Sequence, residues 1–230
     1  RRCLGCWLTV SCREQKFWIL HGARGQNGKG TFLNTIRLLF DPKQTGAFSP
    51  SLVCRQRGQK SWDLAELEGR RLVYINEAPD GGLSGDTTKT IVSEDWVFAE
   101  RKGKDPKDFP PTHKIIWALN DVPEIPSDPA IFRRIRLVPF DFHADHPDDR
   151  LKSSLEQELP GILVWAVRGC LEWLEAGLRC PEKVMARVRQ LEEDSDPIAD
   201  WIAANCEVAP GLRSDRKGLF EDFSAFAGRE

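Results

Sequence analysis

Long apolar runs are missing from this sequence, and so is any signal for export. The longest uninterrupted apolar stretches have four to six residues, whereas a membrane-spanning helix needs about 20. The first residues do not combine a basic stretch, an apolar stretch and a small-residue cleavage site, as a secretory signal does. These absences argue against a membrane protein and predict a cytoplasmic location.

The sequence also lacks an excess of charge and a pattern of paired cysteines. Its 33 Lys and Arg residues nearly balance 35 Asp and Glu residues, so nucleic acid could be bound only through a local basic patch. Seven cysteines are an odd number scattered along the chain, which favours reduced thiols. Cys3, Cys6, His143 and His146 lack the further CxxC pair of a zinc finger, so we interpret them as thiols and surface histidines.

Short apolar runs and one glycine-rich segment predict the fold class. Residues 17–20, 72–75 and 115–119 lack polar alternation, as strands buried on both faces of a parallel sheet do. A fourth run, 135–138, is interrupted by Arg136. A helical pattern follows the glycine-rich segment directly, giving the order strand, loop, helix, strand. We therefore predict an α/β fold with a mostly parallel sheet flanked by helices.

The chain changes character after Asp141, where helical patterns replace the apolar runs. Pro160 and Pro197 are predicted in first turns of helices and Gly177 just after a helix end. We predict a core domain at 1–142, a small helical subdomain at 143–208 and a truncated element at 209–230. The chain begins with Arg1 and stops inside an amphipathic pattern, so we expect a fragment of a longer polypeptide. Four tryptophans in apolar patterns are predicted to be core residues: Trp117, Trp165, Trp173 and Trp201.

The glycine-rich segment has the parts of a phosphate-binding loop. Such a loop uses backbone N–H groups around phosphates, a lysine for the β- and γ-phosphates and a hydroxyl for Mg²⁺. The predicted ATP-binding residues are Gly22, Ala23, Gly25, Gln26, Asn27, Gly28, Lys29, Gly30 and Thr31. The strict motif is missed twice, because Ala23 stands where the first glycine belongs and Gly30 where Ser or Thr belongs. Thr31 comes one residue late, a rotation of about 100° on a helix, and a simple glycine-rich turn is the alternative.

Polar residues at the ends of two other predicted strands complete a candidate catalytic site. Glu77 follows the run 72–75 and is the candidate base and, with Thr31, the candidate Mg²⁺ ligand. Asn120 follows the run 115–119 and is placed to orient a water molecule. Arg133 and Arg134 are candidates to stabilise transition-state charge, from a neighbouring subunit. Alternatively, Glu77 is a surface residue and the arginines form surface salt bridges.

One short segment between these motifs is rich in cations. Arg101, Lys102, Lys104 and Lys107 lie within seven residues, a plausible contact for a nucleic-acid backbone. Most charge runs are only solvated loops, so both interpretations stay open for this segment.

In their order, these motifs resemble the superfamily 3 helicases, and more closely the helicase domain of phage and plasmid primase–helicases in the poxvirus-primase-like branch. The resemblance is carried by 27–33, 67–72, Glu77, 109–114, Asn120 and 128–140, and continues through 158–165 and 195–197. It implies an AAA+-like P-loop ATPase core that forms a ring, usually a hexamer, and moves along DNA using ATP and Mg²⁺. Lys29 would bind phosphates, Glu77 would be the Walker B acid, Asn120 sensor 1, and Arg133 or Arg134 the arginine finger.

The resemblance further implies a DNA contact at 101–107 and a primase elsewhere in the full-length protein of a mobile element. The truncated element at 209–230 would then be the edge of a winged-helix domain. The chain departs from the family at Phe132, where tryptophan is common, and at Gly30, where serine is frequent. Two other interpretations remain: a P-loop kinase acting on a small molecule, and a remnant that folds without hydrolysing ATP.

Overall fold

A computed structural model describes residues 1–54, 62–76, 81–101 and 104–227. The side chains of residues 62, 63, 101 and 104 are outside this description. The strands are β1 Phe17–His21, β2 Thr45–Ala47, β3 Leu72–Ile75, β4 Val97–Arg101, β5 Lys104–Phe109, β6 Lys114–Leu119 and β7 Ile135–Pro139. The helices are α1 Arg2–Trp7, α2 Lys29–Arg37, α3 Trp62–Ala65, α4 Gly85–Ile91, α5 Pro129–Phe132, α6 Leu151–Gln157, α7 Leu159–Ala176, α8 Glu182–Glu193, α9 Pro197–Asn205 and α10 Arg216–Ala227.

A five-stranded, fully parallel sheet in the order β2-β3-β6-β1-β7 organises the molecule. The register pairs His21 with Leu119 and Ile75 with Trp117. The carboxyl ends of β1, β3 and β6 therefore lie side by side at one edge of the sheet. This is the edge at which α/β proteins bind ligands.

Successive residues of each central strand belong to different hydrophobic cores, because side chains alternate between the two faces of a sheet. On one face, Trp18 and Leu20 pack with residues of α1, α2 and α7. On the other face, Phe17 and Ile19 pack with residues of α4, α5, α8 and the hairpin β4–β5. The result is a three-layer α/β fold in which α7 and α8 cover opposite faces of the sheet.

The predicted α/β class and its four apolar strands are confirmed by β1, β3, β6 and β7. Pro160 and Pro197 lie in the first turns of α7 and α9, and Gly177 ends α7 with a φ of 71°. The two domain boundaries and the winged-helix interpretation stay predictions; in this region α10 packs on α9 through Trp201 and Phe223.

The prediction that four tryptophans lie in the core is wrong for one of them. Trp117, Trp173 and Trp201 are buried, whereas Trp165 is 46% exposed. The cause is α7 itself, which is apolar on nearly every side, so that its periodicity does not show which side the sheet covers. No helix in the described part of the chain combines the length and apolarity needed to cross a membrane.

Candidate functional site

The glycine-rich loop leaves β1 at the carboxyl edge of the sheet and turns into α2. A Cβ atom on Gly22 would lie 2.3 Å from Asn27 Nδ2 and 2.6 Å from Phe140 O, so only glycine fits the close approach there. Gln26 and Gly28 have φ angles of 56° and 84°. These left-handed residues bend the loop sharply before the N-terminus of α2, where free N–H groups favour an anion.

Two side chains brace this loop from within the protein. Asn27 Nδ2 donates to Gly22 O at 3.1 Å and also to Arg24 O. From the segment after β7, His143 Nδ1 lies 2.9 Å from Gly25 O and Ala144 N donates to Gln26 O at 3.0 Å. These contacts hold the loop in shape, which preorganises it for a ligand.

Lys29 places a buried ammonium group at the centre of the site. Its Nζ donates to Gly22 O at 2.8 Å and to Asn120 Oδ1 at 2.9 Å. The side chain is 8% exposed, and burial lowers the pKa of Lys29 below its ordinary value. Among the described residues no carboxylate pairs with Lys29, so the cation is balanced there only by neutral dipoles.

A cavity of about 300 Å³ opens beside this ammonium group. Asn76 at the end of β3 and Asn120 and Asp121 at the end of β6 line it, together with Gly30 and Asn34 of α2. The structure therefore brings together Lys29 and Asn120, which the sequence predicted from separate motifs. Glu77, the predicted base and Mg²⁺ ligand, lies outside the described residues, next to Asn76.

Thr31, the other predicted Mg²⁺ ligand, lines a different cavity. This larger space of about 740 Å³ lies between α2 and helices α6 and α7; its wall includes Leu4, Phe32, Ile36, Leu155, Pro160 and Trp165. We call it the α2–α7 groove. Thr31 follows Gly30 by one residue, which turns it by about 100° away from the side of α2 that carries Gly30.

The two predicted arginines lie at the opposite edge of the sheet and differ in burial. Both precede β7, whose first residue pairs with Phe17 at the start of β1. Arg134 is buried, and its guanidinium donates to Ala130 O at 2.8 Å and Gln15 Oε1 at 3.4 Å. Arg133 is exposed. Of the pair, Arg133 is the side chain that a partner could reach.

The predicted cationic segment falls on the hairpin β4–β5. Lys107 is exposed and forms an ion pair with Glu68. The backbone of Arg101 and Lys104 pairs near the turn, while Lys102 lies outside the described residues. Glu100, Asp105 and Asp108 are exposed on the same hairpin, so its described part mixes both signs of charge.

Sequence reasoning missed the brace and the groove. His143 is exposed, as predicted for a surface histidine, but the sequence did not predict that its ring also contacts the loop at Gly25 O. It also predicted a core position for Trp165, which instead lines the groove. A histidine just past the last strand carries no local signal for such a contact, because the contact depends on how the chain returns to the loop.

Comparison with known proteins places this architecture among proteins of related fold. A family model described as "Family of unknown function (DUF5906)" matches residues 20–134. The chain is 28% identical over 156 residues to "Putative helicase 184R" of Invertebrate iridescent virus 6, covering 59% of this chain and 15% of that protein.

Two apo structures of the NrS-1 C-terminal region share the fold. One has a TM-score of 0.57 at 13% identity, covering 93% of this chain and 54% of that one. The other has a TM-score of 0.55 at 14% identity, covering 97% and 57%. The chain thus spans little more than half of these structures and a small part of the viral protein.

Proposed function

The chain belongs to the family of unknown function DUF5906, and we propose that this member is an ATP-hydrolysing motor domain that moves along DNA as a helicase. The observation that carries the proposal is the ammonium group of Lys29, buried at the carboxyl edge of a parallel sheet beside a braced glycine loop. Among the described residues this ammonium group meets only neutral dipoles, and a buried cation in such surroundings gains most from a dianionic or trianionic ligand. Similarity to a viral protein named as a putative helicase supports the helicase part of the proposal.

The residues at the end of β6 fit the hydrolytic part of the function. Asn120 Oδ1 accepts from Lys29 Nζ at 2.9 Å, so a phosphate bound to the lysine would lie within reach of this amide. An amide at that point can orient a water molecule for attack on the terminal phosphate. We assign the general base to Glu77, which follows Asn76 in the chain.

The oxygen-rich cavity also fits Mg²⁺, which prefers hard oxygen ligands. Asn76, Asn120 and Asp121 present amide and carboxylate oxygens there, and Glu77 is the proposed carboxylate ligand. Bound Mg²⁺ would neutralise charge on the phosphates. Thr31, the other candidate Mg²⁺ ligand, lines the α2–α7 groove rather than this cavity, so we assign the metal to the oxygens beside Lys29.

The proposed motor also needs an arginine from a neighbouring subunit and a contact with DNA, which we assign to a ring of subunits assembled on DNA. Arg133 lies about five strand residues, or about 17 Å, from the loop of its own chain, so we assign it to the nucleotide of a neighbouring subunit. The cations near the turn of β4–β5 are the proposed DNA contact, with a primase elsewhere in a longer protein of a mobile element.

Replacement of the lysine tests the proposal. We expect Lys29→Ala to weaken binding of Mg²⁺–ATP by at least about tenfold in calorimetric titration, and to abolish ATP hydrolysis and separation of a forked duplex. Lys43→Ala is the matched control, because Lys43 is exposed on a short turn away from the loop. Equal ATP binding by the wild type and Lys29→Ala would refute the phosphate site. ATP hydrolysis that single-stranded DNA does not change would refute the motor.

A further inference from the structure

The segment that follows β7 is anchored before it reaches the phosphate loop. Phe140 N donates to His21 O at 2.7 Å, at the point where β1 ends and the loop begins. The ring of Phe140 packs against Phe32 of α2, with 5.8 Å between the ring centroids. Asp141 forms an ion pair with Lys183 of α8 at 3.0 Å. The residues that come next therefore approach the loop from a fixed position.

Two carbonyl groups of the loop accept hydrogen bonds from this segment, and this fixes the direction of two peptide units. His143 Nδ1 lies 2.9 Å from Gly25 O, and Ala144 N donates to Gln26 O at 3.0 Å. In a trans peptide the C=O and the N–H of the same unit point in opposite directions. The N–H groups of Gln26 and Asn27 therefore point away from His143 and Ala144.

These two N–H groups are donors that the protein leaves available for a ligand. Within the described ranges, neither the N–H of Gln26 nor that of Asn27 donates to a protein acceptor. Gln26 has a φ of 56°, and a left-handed residue of this kind lets successive N–H groups form a concave anion site. The loop leads directly to the buried ammonium group of Lys29, so both kinds of donor are present for one phosphate chain.

We propose that His143 is a positioning residue for the triphosphate: its bond to Gly25 O holds the N–H of Gln26 toward the phosphates bound beside Lys29. This inference rests on the proposed function and adds a residue from outside the loop that sets how tightly the phosphates are held. His143 acts through the peptide unit and not by touching the phosphates. Without its bond this peptide unit is free to turn, and ordering it again on binding lowers the affinity.

The chemistry of the contact identifies what a replacement side chain must supply. Gly25 O can only accept, so Nδ1 of His143 carries the proton in this contact, while Nε2 lies 3.9 Å from Asp145 Oδ1. Asparagine has an amide nitrogen as many bonds from the backbone as Nδ1 is. Leucine has nearly the shape of asparagine but no donor. The pair His143→Asn and His143→Leu therefore isolates the hydrogen bond from the volume of the side chain.

Binding of Mg²⁺–ATP and Mg²⁺–tripolyphosphate to these variants, measured by calorimetric titration, tests the proposal. We expect His143→Leu to raise both Kd values about three- to tenfold, and His143→Asn to stay within about twofold of the wild type. In ATP hydrolysis His143→Leu should raise KM by a similar factor and leave kcat within about twofold, because the loop holds substrate and transition state alike. His146→Leu makes the same substitution at an exposed position of the same segment and is the matched control.

The outcomes separate this inference from the phosphate site itself. If the wild type binds neither ligand, the proposed function fails and the role of His143 fails with it. If Lys29→Ala loses both ligands but His143→Leu binds them as the wild type does, the phosphate site stands and the positioning role is refuted. Equal losses in His143→Leu and His143→Asn would refute the hydrogen bond as the cause. Thermal melting verifies that His143→Leu is folded; His143→Ala, with the same expected rise in both Kd values, decides the case if it is not.

Discussion

Three buried basic side chains, one at the start of β6, one just before β6 and one at the start of α2, show how position decides whether a polar group serves the fold or a ligand. Lys114, at the amino end of β6, donates to Thr9 O at 3.1 Å and Thr112 O at 3.3 Å and so ties this strand to the segment that follows α1. Lys29 makes a similar pair of contacts at the other edge, but beside an open cavity. His113 is the third; it is 3% exposed and its ring contacts the backbone at Ile91 O.

The burial of His113 predicts a specific pH dependence of stability. Its Nε2 lies 2.8 Å from Ile91 O, its Nδ1 has no partner within the described part of the chain, and burial lowers the pKa of His113 to about 4. Between pH 6.5 and 4 the unfolded imidazole binds a proton that the folded one does not, so this contribution is present above pH 6.5 and is lost as the pH falls. We expect His113→Gln to remove about 2–3 kcal/mol of the acid-induced loss in unfolding free energy.

Urea unfolding at pH 7.5, 6.0 and 4.5 measures this difference between the wild type and His113→Gln. His146→Gln provides the control, because it makes the same substitution at an exposed position. If the unfolding free energies of the wild type and His113→Gln change equally with pH, the folded protein does not oppose protonation of His113, and the prediction is wrong.

At the scale of elements, α1 and α7 pack unusually closely through two glycines. A Cβ on Gly5 would lie 2.0 Å from Cys170 N and 2.4 Å from Gly169 C, both backbone atoms of α7. The helices would have to separate, so we expect Gly5→Ala to lower the unfolding free energy by about 1–3 kcal/mol. Gly161→Ala, at a helical position with open space, should instead raise it by up to about 1 kcal/mol. Denaturant titration compares the two; changes of the same sign would contradict this account of the packing.

The same elements show which parts of the structure could be predicted from the sequence. The strands β1, β3 and β6 are predictable because each is a short apolar run buried on both faces. The strand β7 is predictable because its apolar run is still visible around Arg136, although the strand is only partly buried. The strand β2 was missed because its three residues, Thr45–Ala47, include no large apolar side chain. The strand β5 was missed because charged residues dominate it, and it pairs only through its antiparallel partner β4.

The candidate site was also only partly predictable from the sequence. Lys29 and Asn120 were predictable because each follows an apolar strand, and parallel strands end at one edge. The brace by His143 and the groove beside Trp165 depend on how distant segments return to the loop. No local pattern encodes that return, so these features emerge only from tertiary structure.

At the scale of the whole molecule, the phosphate loop and Arg133 occupy opposite edges of one sheet. A single chain with this arrangement cannot bring its own Arg133 to its own Lys29, because β1 and β7 separate them along their full length. A head-to-tail assembly does so at every interface, since each subunit offers one edge to the next. Arg134 is buried and donates to Ala130 O, so we assign this role to Arg133.

This geometry predicts complementation between two inactive variants. Lys29→Ala retains an arginine for its neighbour but has no functional loop of its own, whereas Arg133→Ala retains the loop but offers no arginine. Each alone should lack DNA-stimulated ATP hydrolysis. In assemblies co-expressed in equal amounts and purified through two different tags, about one interface in four combines an intact loop with an intact arginine, so we expect about a quarter of wild-type activity. Mixed assemblies as inactive as either parent would refute action of Arg133 between subunits, while Arg134→Ala should lower the melting temperature rather than complement.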